Sequence, residues 1–410
     1  MFHPIVRFER QGGGKDAIDR AAKYLSDAKF PVILSGAGVV IGNAIEETKK
    51  LAEKLDSPVC SGYQHNDSFP GSHPLAVGPL GYNGSKAAME LISKADVVLA
   101  LGTRLNPFST LPGYGIDYWP KNAKIIQVDM NPDRIGLTKK VTVGISGDAK
   151  MVASQLLSKL SSNAGDTNRE ERKNFIHQTK SAWLQTLTSL DHEDDDPGTV
   201  WNKEARDRDK DRMSPRQAWR AIQAALPEDV IISSDIGNNC AIGNAYPTFE
   251  KGRKYLAPGL FGPCGYGFPA ILGAKIGCPE TPVVGFAGDG AFGISMNEMS
   301  SCAREEWPAI TMVIFRNYQW GAEKRNSILW FDDNFVGTEL DPELSYAKVA
   351  DACGLKGITA RTMEETTKAI KEGCENQKKG ITTFVEVILN QELGEPFRRD
   401  AMKKPVQVAG

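Results

Sequence analysis

The sequence offers no stretch of eighteen uninterrupted apolar residues, and its first thirty residues lack the charged-then-apolar pattern of a secretory leader. A membrane span is therefore not expected, and the chain is expected to be cytoplasmic. Its 410 residues carry a formal net charge of only −2, which supplies no electrostatic grip on nucleic acid. Seven cysteines, an odd number without any Cys-x-x-Cys pair, fit reduced thiols better than a disulfide framework. Five histidines (His3, His65, His73, His177 and His192) show no metal-ligand spacing, so neither zinc nor iron is expected. No internal repeat of solenoid length is present either.

What is there is ordinary for a globular enzyme: 41% hydrophobic and 24% charged residues, in a chain longer than one core usually covers. Two domains follow from that length. The first half alternates short apolar runs with helical patterns, as βαβ units around a parallel sheet require. Strands are expected at Pro31–Gly36, Asp96–Leu101 and Lys124–Asp129, with helices over Asp16–Asp27 and Ala44–Leu55. Gly36-x-Gly38 between strand and helix fits a tight structural turn or a nucleotide loop, and lacks the rest of the dinucleotide fingerprint. From Ser161 to Met213 the rhythm breaks into polar and charged residues around a helical patch, Phe175–Leu190, which suggests a solvated linker. Ser214-Pro215 then opens a helix to Leu226 with a serine cap. A second α/β domain runs from Val230 to Thr383–Leu389, and Thr362-x-x-Glu365 is a capping box for its last long helix. The expected fold class is α/β, two doubly wound parallel-sheet domains, divided into 1–160, a linker 161–213, a second domain 214–394 and a tail 395–410.

The chemistry concentrates in that second domain. An apolar run ends in Gly288-Asp289-Gly290, and a second apolar run ends in Arg316-Asn317-Tyr318-Gln319. Asp289 at one strand tip, the side-chain amide oxygen of Asn317 at the next and the backbone carbonyl of Gln319 are hard oxygen donors of the kind Mg²⁺ takes. Gly288 and Gly290 let backbone approach a phosphate, and a helix opening near Ala291 would present free amide hydrogens to it. Gly237, Asn238 and Asn239, at the end of an earlier strand, are further candidates for holding phosphate oxygens or form a plain Asn-rich turn. Gly262, Pro263 and Cys264 lie in a glycine-dense loop ahead of a helix over Ala270–Gly277.

The paired Gly-Asp-Gly and Asn motif resembles the diphosphate-binding motif of thiamine diphosphate enzymes, and nearly the whole chain, from about Pro31 to Asn390, resembles the acetolactate-synthase-type members. The family's pattern usually ends Asn-Asn; here Arg316 replaces the first Asn, where it either helps hold an anion or faces solvent. The resemblance implies a Rossmann-like middle domain and a cofactor-binding domain, with thiamine diphosphate and Mg²⁺ as cofactors. It also implies that Cys264 takes the place of the bulky residue that wedges the cofactor into a bend. Leu75-Ala-Val-Gly78 to Gly84, Ala100–Arg104 and Val128–Pro132 carry the likeness in the first domain. Longer strings, Trp320–Asn326, Phe335–Leu340 and the tail Pro396–Lys404, resemble the branch that acts on sulfoacetaldehyde. That branch implies sulfoacetaldehyde and phosphate as substrates and acetyl phosphate and sulfite as products. Lys324 and Arg325 are then candidates for binding the sulfonate or phosphate, with Arg398 and Arg399 in the tail behind them; the alternative for all four is a solvated basic surface. A pyruvate-using carboligase and a non-catalytic cofactor-binding subunit are the rival readings. The family also has a further domain that supplies an activating glutamate. No segment ahead of Pro31 fits it, so the isolated chain is expected to be inactive, with the active site completed by a homo-oligomer or a partner chain.

Overall fold

A computed structural model describes residues 9–114, 116–192, 209–259, 261–332 and 334–392. They form two compact units, each built on a parallel six-stranded sheet. The strands of the first sheet are β1 (Pro31–Ser35), β2 (Val59–Ser61), β3 (Ala76–Pro79), β4 (Val97–Leu101), β5 (Lys124–Asp129) and β6 (Val143–Ser146), in the order β3-β2-β1-β4-β5-β6. Every residue of β1 and β4 is buried, as strands covered by helices on both faces must be. The order is that of a doubly wound Rossmann-like sheet, with its reversal between β1 and β4.

The Gly36-x-Gly38 turn lies at that reversal, and its glycines are explained by contact with the loop after β4. Gly38 N–H donates to the Gly102 carbonyl at 2.8 Å, and a Cβ on Gly38 would stand 2.7 Å from the Gly102 Cα. A side chain there would force the two loops apart. This packing favours the structural of the two readings of the turn.

The second sheet comprises β7 (Ile231–Ser234), β8 (Tyr255–Leu256), β9 (Val283–Gly288), β10 (Thr311–Arg316), β11 (Lys356–Ala360) and β12 (Thr383–Ile388), in the order β11-β12-β10-β9-β7-β8. The chain leaves β7 for β8 on one side and returns as β9 on the other. The crevice outside the carboxyl ends of β7 and β9 is therefore where an open sheet takes its ligand. Trp219, from the helix Pro215–Ala225, packs its ring 4.8 Å from Phe286 of β9 and 5.3 Å from Phe315 of β10. Phe268, Phe292 and Phe384 form a second aromatic group on the same sheet.

The expected helix caps hold in one case and shift in the other. Ser214 Oγ accepts from Gln217 N–H while Ser214 N–H donates to Gln217 Oε1, a reciprocal box. Thr362 caps Met363–Gln377 by accepting from Glu365 N–H, but Glu365 Oε2 accepts from Arg361 N–H rather than closing the box.

The expected linker is also more structured than its composition suggests. The helix found there spans Arg169–His192, and its first half is part of the first unit, whose boundary falls between Ala182 and Trp183. Arg172 is buried and donates to the carbonyls of Leu55, Asp56, Lys29, Thr167 and Gly165, and Phe175 meets Phe30 edge to face. The carbonyls of Lys29, Leu55 and Asp56 belong to segments more than a hundred residues away, so local composition could not reveal the burial. Most of the charged run beyond His192 lies outside the described residues. No described helix is long and apolar enough to cross a membrane, and all seven cysteines are free thiols.

Phe286, on β9 itself three residues before Asp289, is fully buried between Trp219 and Phe315. Phe286→Ala is expected to lower the unfolding free energy by about 3–5 kcal/mol, measured by urea denaturation; a loss below about 1 kcal/mol would show that the sheet does not rest on this contact.

Candidate cofactor site

β9 passes into the helix Asp289–Ser295 with no intervening loop. Gly288 caps that helix with extended backbone, and a Cβ there would meet nothing within 4 Å, so the strand tip is open to a ligand. At Gly290 the opposite holds: a Cβ would lie 2.7 Å from the Trp320 ring, so glycine is what lets that ring close over the turn.

Asp289 is fully buried. Its Oδ1 accepts from Gly290 N–H at 3.0 Å, and its Oδ2 accepts from Tyr318 N–H at 2.7 Å and from Arg316 Nη1 at 3.0 Å. Burial nevertheless pushes its pKa up to about 6, against the opposing pull of Arg316 and the two amides. The carboxylate is short of positive charge even with an arginine in contact.

β10 aligns Phe315 with Gly288, which sets Asn317 just past the strand tip beside Asp289. The Asn317 Oδ1 is buried and has no hydrogen-bond partner, an arrangement that costs stability unless something occupies it. Tyr318 then adopts left-handed backbone, φ 60°, and the turn is held from outside by Trp320 N–H to the Thr338 carbonyl (2.8 Å) and Leu340 N–H to the Tyr318 carbonyl (2.9 Å). Gln319 Oε1 is likewise buried without a partner, while its Nε2 donates to the Gln391 carbonyl at 3.0 Å. A charge-starved carboxylate beside an orphaned amide oxygen, at adjacent strand tips, is the donor set a hard divalent ion fits. Of the expected metal ligands, Asp289 and Asn317 are brought together, and Gln319 lies two residues on in the same turn.

Arg316 corrects the sequence reading on both of its alternatives. It neither faces solvent nor awaits an anion: it is fully buried, paired to Asp289, with Nε 3.7 Å from Glu386 Oε1.

At the end of β7, Gly237 has φ 124° and open space where a Cβ would point, and Asn238 and Asn239 begin the short helix Asn238–Ile242. Both asparagines are buried, and Asn239 Oδ1 has no hydrogen-bond partner. Asp235, three residues before Asn238, opens the same segment, and the sequence reading gave its carboxylate no role. Its buried carboxylate accepts from Ile236 N–H (2.8 Å), Gly265 N–H (3.1 Å) and Gly267 N–H (2.7 Å), so it ties the glycine-dense loop to the strand tip. Burial raises its pKa, and the backbone donors work against that rise. Gly262 and Gly265 in that loop both have positive φ, which explains the density of glycine. Between them the Cys264 thiol is partly exposed, its pKa raised by burial and by the negative charges of Asp235 and Glu323. Ala291 is buried within the helix that opens at Asp289.

Lys324 and Arg325 sit on the helix Gly321–Trp330, and both are buried rather than part of a solvated basic surface. Lys324 is ion-paired to Glu339 and lies 3.5 Å from Gln391 Oε1. Arg325 donates through Nη1 to Asn238 Oδ1 (2.8 Å) and through Nη2 to Tyr82 Oη (2.7 Å). Tyr82–Gly84 groups with the second unit, so these contacts lie within one body. Arg398 and Arg399 lie outside the described residues.

Comparison with known families agrees with this geometry. Residues 18–156 match the central domain of thiamine pyrophosphate enzymes, and residues 235–387 match their C-terminal thiamine pyrophosphate-binding domain. A protein of Rhizobium meliloti (strain 1021) named a probable sulfoacetaldehyde acetyltransferase is 78% identical over 99% of this chain and 69% of its own length. Sulfoacetaldehyde acetyltransferases of Roseovarius nubinhibens and Rhodobacter capsulatus are 74% and 69% identical, over 67% and 71% of their own lengths. An acetolactate synthase large subunit from Buchnera aphidicola is more distant, at 28%. The chain belongs to the sulfoacetaldehyde acetyltransferase family of thiamine pyrophosphate enzymes, whose cofactors are thiamine diphosphate and Mg²⁺.

As a metal ligand, Asp289 would have to shed its proton. Because its pKa stands at about 6 rather than 3.8, Mg²⁺ and thiamine diphosphate should bind more tightly as pH rises from 5 to 7 and level off above that. Calorimetric titration across that range should show up to about a tenfold gain per pH unit below 6, lost in Asp289→Asn. A flat profile in the wild type would show that Asp289 is not the ligand.

Proposed function

We propose that the chain carries the cofactor site of an enzyme that converts sulfoacetaldehyde and phosphate into acetyl phosphate and sulfite. The observation that carries this reading is the cluster at the carboxyl ends of β7, β9 and β10, supported by close relatives named for that activity. When bound, thiamine diphosphate supplies a stabilised carbanion equivalent. The protein's residues then do the holding. Asp289, Asn317 and Gln319 would hold the metal, and Gly288, Gly290 and Ala291, in the strand-to-helix turn, would hold the diphosphate. Gly237, Asn238 and Asn239 approach it from β7. Gly262 and Cys264 bound the loop over the rest of the cofactor, a loop that Asp235 holds in place.

Both substrates and the leaving group are small oxyanions, so the site needs a buried cation with a planar set of donors. Lys324 already has Glu339 as its counter-ion. We assign the anion to Arg325, which the Asn238 and Tyr82 oxygens orient at the β7 edge of the site. Lys324 then contributes by fixing the 335–340 segment through Glu339. The high identity to the acetyltransferases, against the distant match to acetolactate synthase, favours sulfoacetaldehyde over pyruvate. Cytoplasmic location and assembly into an oligomer fit the same reading.

The test is release of acetyl phosphate and sulfite by the native gene product that carries this sequence, with pyruvate as the competing substrate. Acetyl phosphate from sulfoacetaldehyde is the expected result, and pyruvate consumption without it would overturn the assignment. Arg325→Met should raise KM for sulfoacetaldehyde or phosphate by about 10–100-fold, the loss of one charge-assisted contact of about 1.5–3 kcal/mol, measured at saturating thiamine diphosphate because Arg325 also holds Asn238.

A further inference from the structure

Arg316 occupies the one place in the second unit where a cation would be expected to harm a divalent-ion site, in contact with its carboxylate. Its surroundings account for it. Nη1 donates to Asp289 Oδ2 at 3.0 Å, Nη2 donates to the carbonyls of Leu344 (3.0 Å) and Asp341, and Nε lies 3.7 Å from Glu386 Oε1. The guanidinium also stacks 4.2 Å from the ring centroid of Tyr318, whose other cationic neighbour, Arg212, is 4.8 Å away.

Two consequences follow from this packing. Asp289 Oδ2 is held by Arg316 and by Tyr318 N–H together, so the carboxylate cannot rotate freely about its Cβ–Cγ bond. Tyr318, forced into left-handed backbone immediately after Asn317, is held by its ring. The same guanidinium therefore fixes Asp289 itself and the residue that follows Asn317. Glu386, which also accepts from Ser345 Oγ (2.6 Å) and Tyr346 N–H (3.1 Å), supplies a second carboxylate. With one cation between two carboxylates, the trio keeps one negative charge for the incoming ion. Tyr346 closes the group by donating its hydroxyl to the Asp289 carbonyl at 3.0 Å.

We propose that Arg316 is a positioning residue for the divalent ion: it sets the Asp289 carboxylate and the Asn317–Gln319 turn in the ligating geometry before the ion arrives. It does not touch the ion. The inference rests on the cofactor assignment, and it is independent of which aldehyde or keto acid the enzyme uses.

The test is Mn²⁺ binding in the presence of thiamine diphosphate, followed by electron paramagnetic resonance, for the wild type, Arg316→Met and Arg316→Lys. Melting in chelator is measured alongside to confirm that each variant is folded. Arg316→Met is expected to bind Mn²⁺ about 10–100-fold more weakly, the usual effect of removing an outer-shell partner of a metal ligand. Arg316→Lys should recover part of the loss, since an ammonium can pair with Asp289 but cannot also stack on Tyr318 and reach two carbonyls. A purely structural arginine would lower the melting temperature and leave the Mn²⁺ affinity of the folded protein alone. Equal or tighter binding by folded Arg316→Met overturns the proposal, because it would mean that the guanidinium only repels the ion. Should Arg316→Met not fold, wild-type affinity in Arg316→Lys overturns it and weakened affinity supports it. Wild-type protein that binds no Mn²⁺ with thiamine diphosphate overturns the cofactor assignment together with the proposal.

Discussion

A carboxylate taken fully out of water has to find positive charge, and the second unit is arranged around how Asp289 finds it. Two backbone amides and one guanidinium reach its oxygens, and still its proton affinity stays above that of an ordinary aspartate. Asn317, alongside it, has the reverse problem: an amide oxygen with no donor. One divalent ion, bound as proposed, would answer both deficits at once. The surrounding features, from Gly290 under Trp320 to the left-handed Tyr318, hold the two groups in place.

The sheet order explains why these groups meet. Because the chain leaves β7 in one direction and returns through β9 in the other, the tips of β7 and β9 lie at the switch point where an open sheet takes its ligand. The residues that follow β7, β9 and β10 therefore converge although they are some eighty positions apart in sequence. Asp235 makes the convergence rigid by binding two amides of the glycine-dense loop. That loop, rather than a side chain, is what the carboxylate serves.

Much of this was legible in the sequence. Buried parallel strands are continuous apolar runs, so β1, β4, β5, β7, β9, β10 and β12 announced themselves, and Gly288-Asp289-Gly290 with Asn317 pointed to the strand tips where a buried carboxylate and an orphaned amide oxygen lie. β2, β3, β6 and β11 did not, being three to five residues long and, in β3, β6 and β11, only partly buried. The partners of charged residues were the least visible feature. A solvated surface was one of two readings for Arg316 and Lys324, and Arg172 lay in a stretch read as a solvated linker; each is neutralised or saturated by groups that the chain brings in largely from elsewhere: Asp289 and Glu386, Glu339, and five carbonyls of which three are distant in sequence. Asp235 was passed over for the same reason, since its donors lie about thirty residues downstream. A cation beside the motif Asn317, at the end of an otherwise apolar strand, is the local signal that could have marked Arg316 as buried.

The most direct measurement of the central claim is the position of the metal in a crystal of the protein grown with Mg²⁺ and thiamine diphosphate. The account requires the ion at about 2.1 Å from a carboxylate oxygen of Asp289 and from Oδ1 of Asn317, with diphosphate oxygens completing its shell. An ion bound elsewhere, or cofactor seated while Asp289 keeps only Arg316 and the two amides as partners, would contradict it.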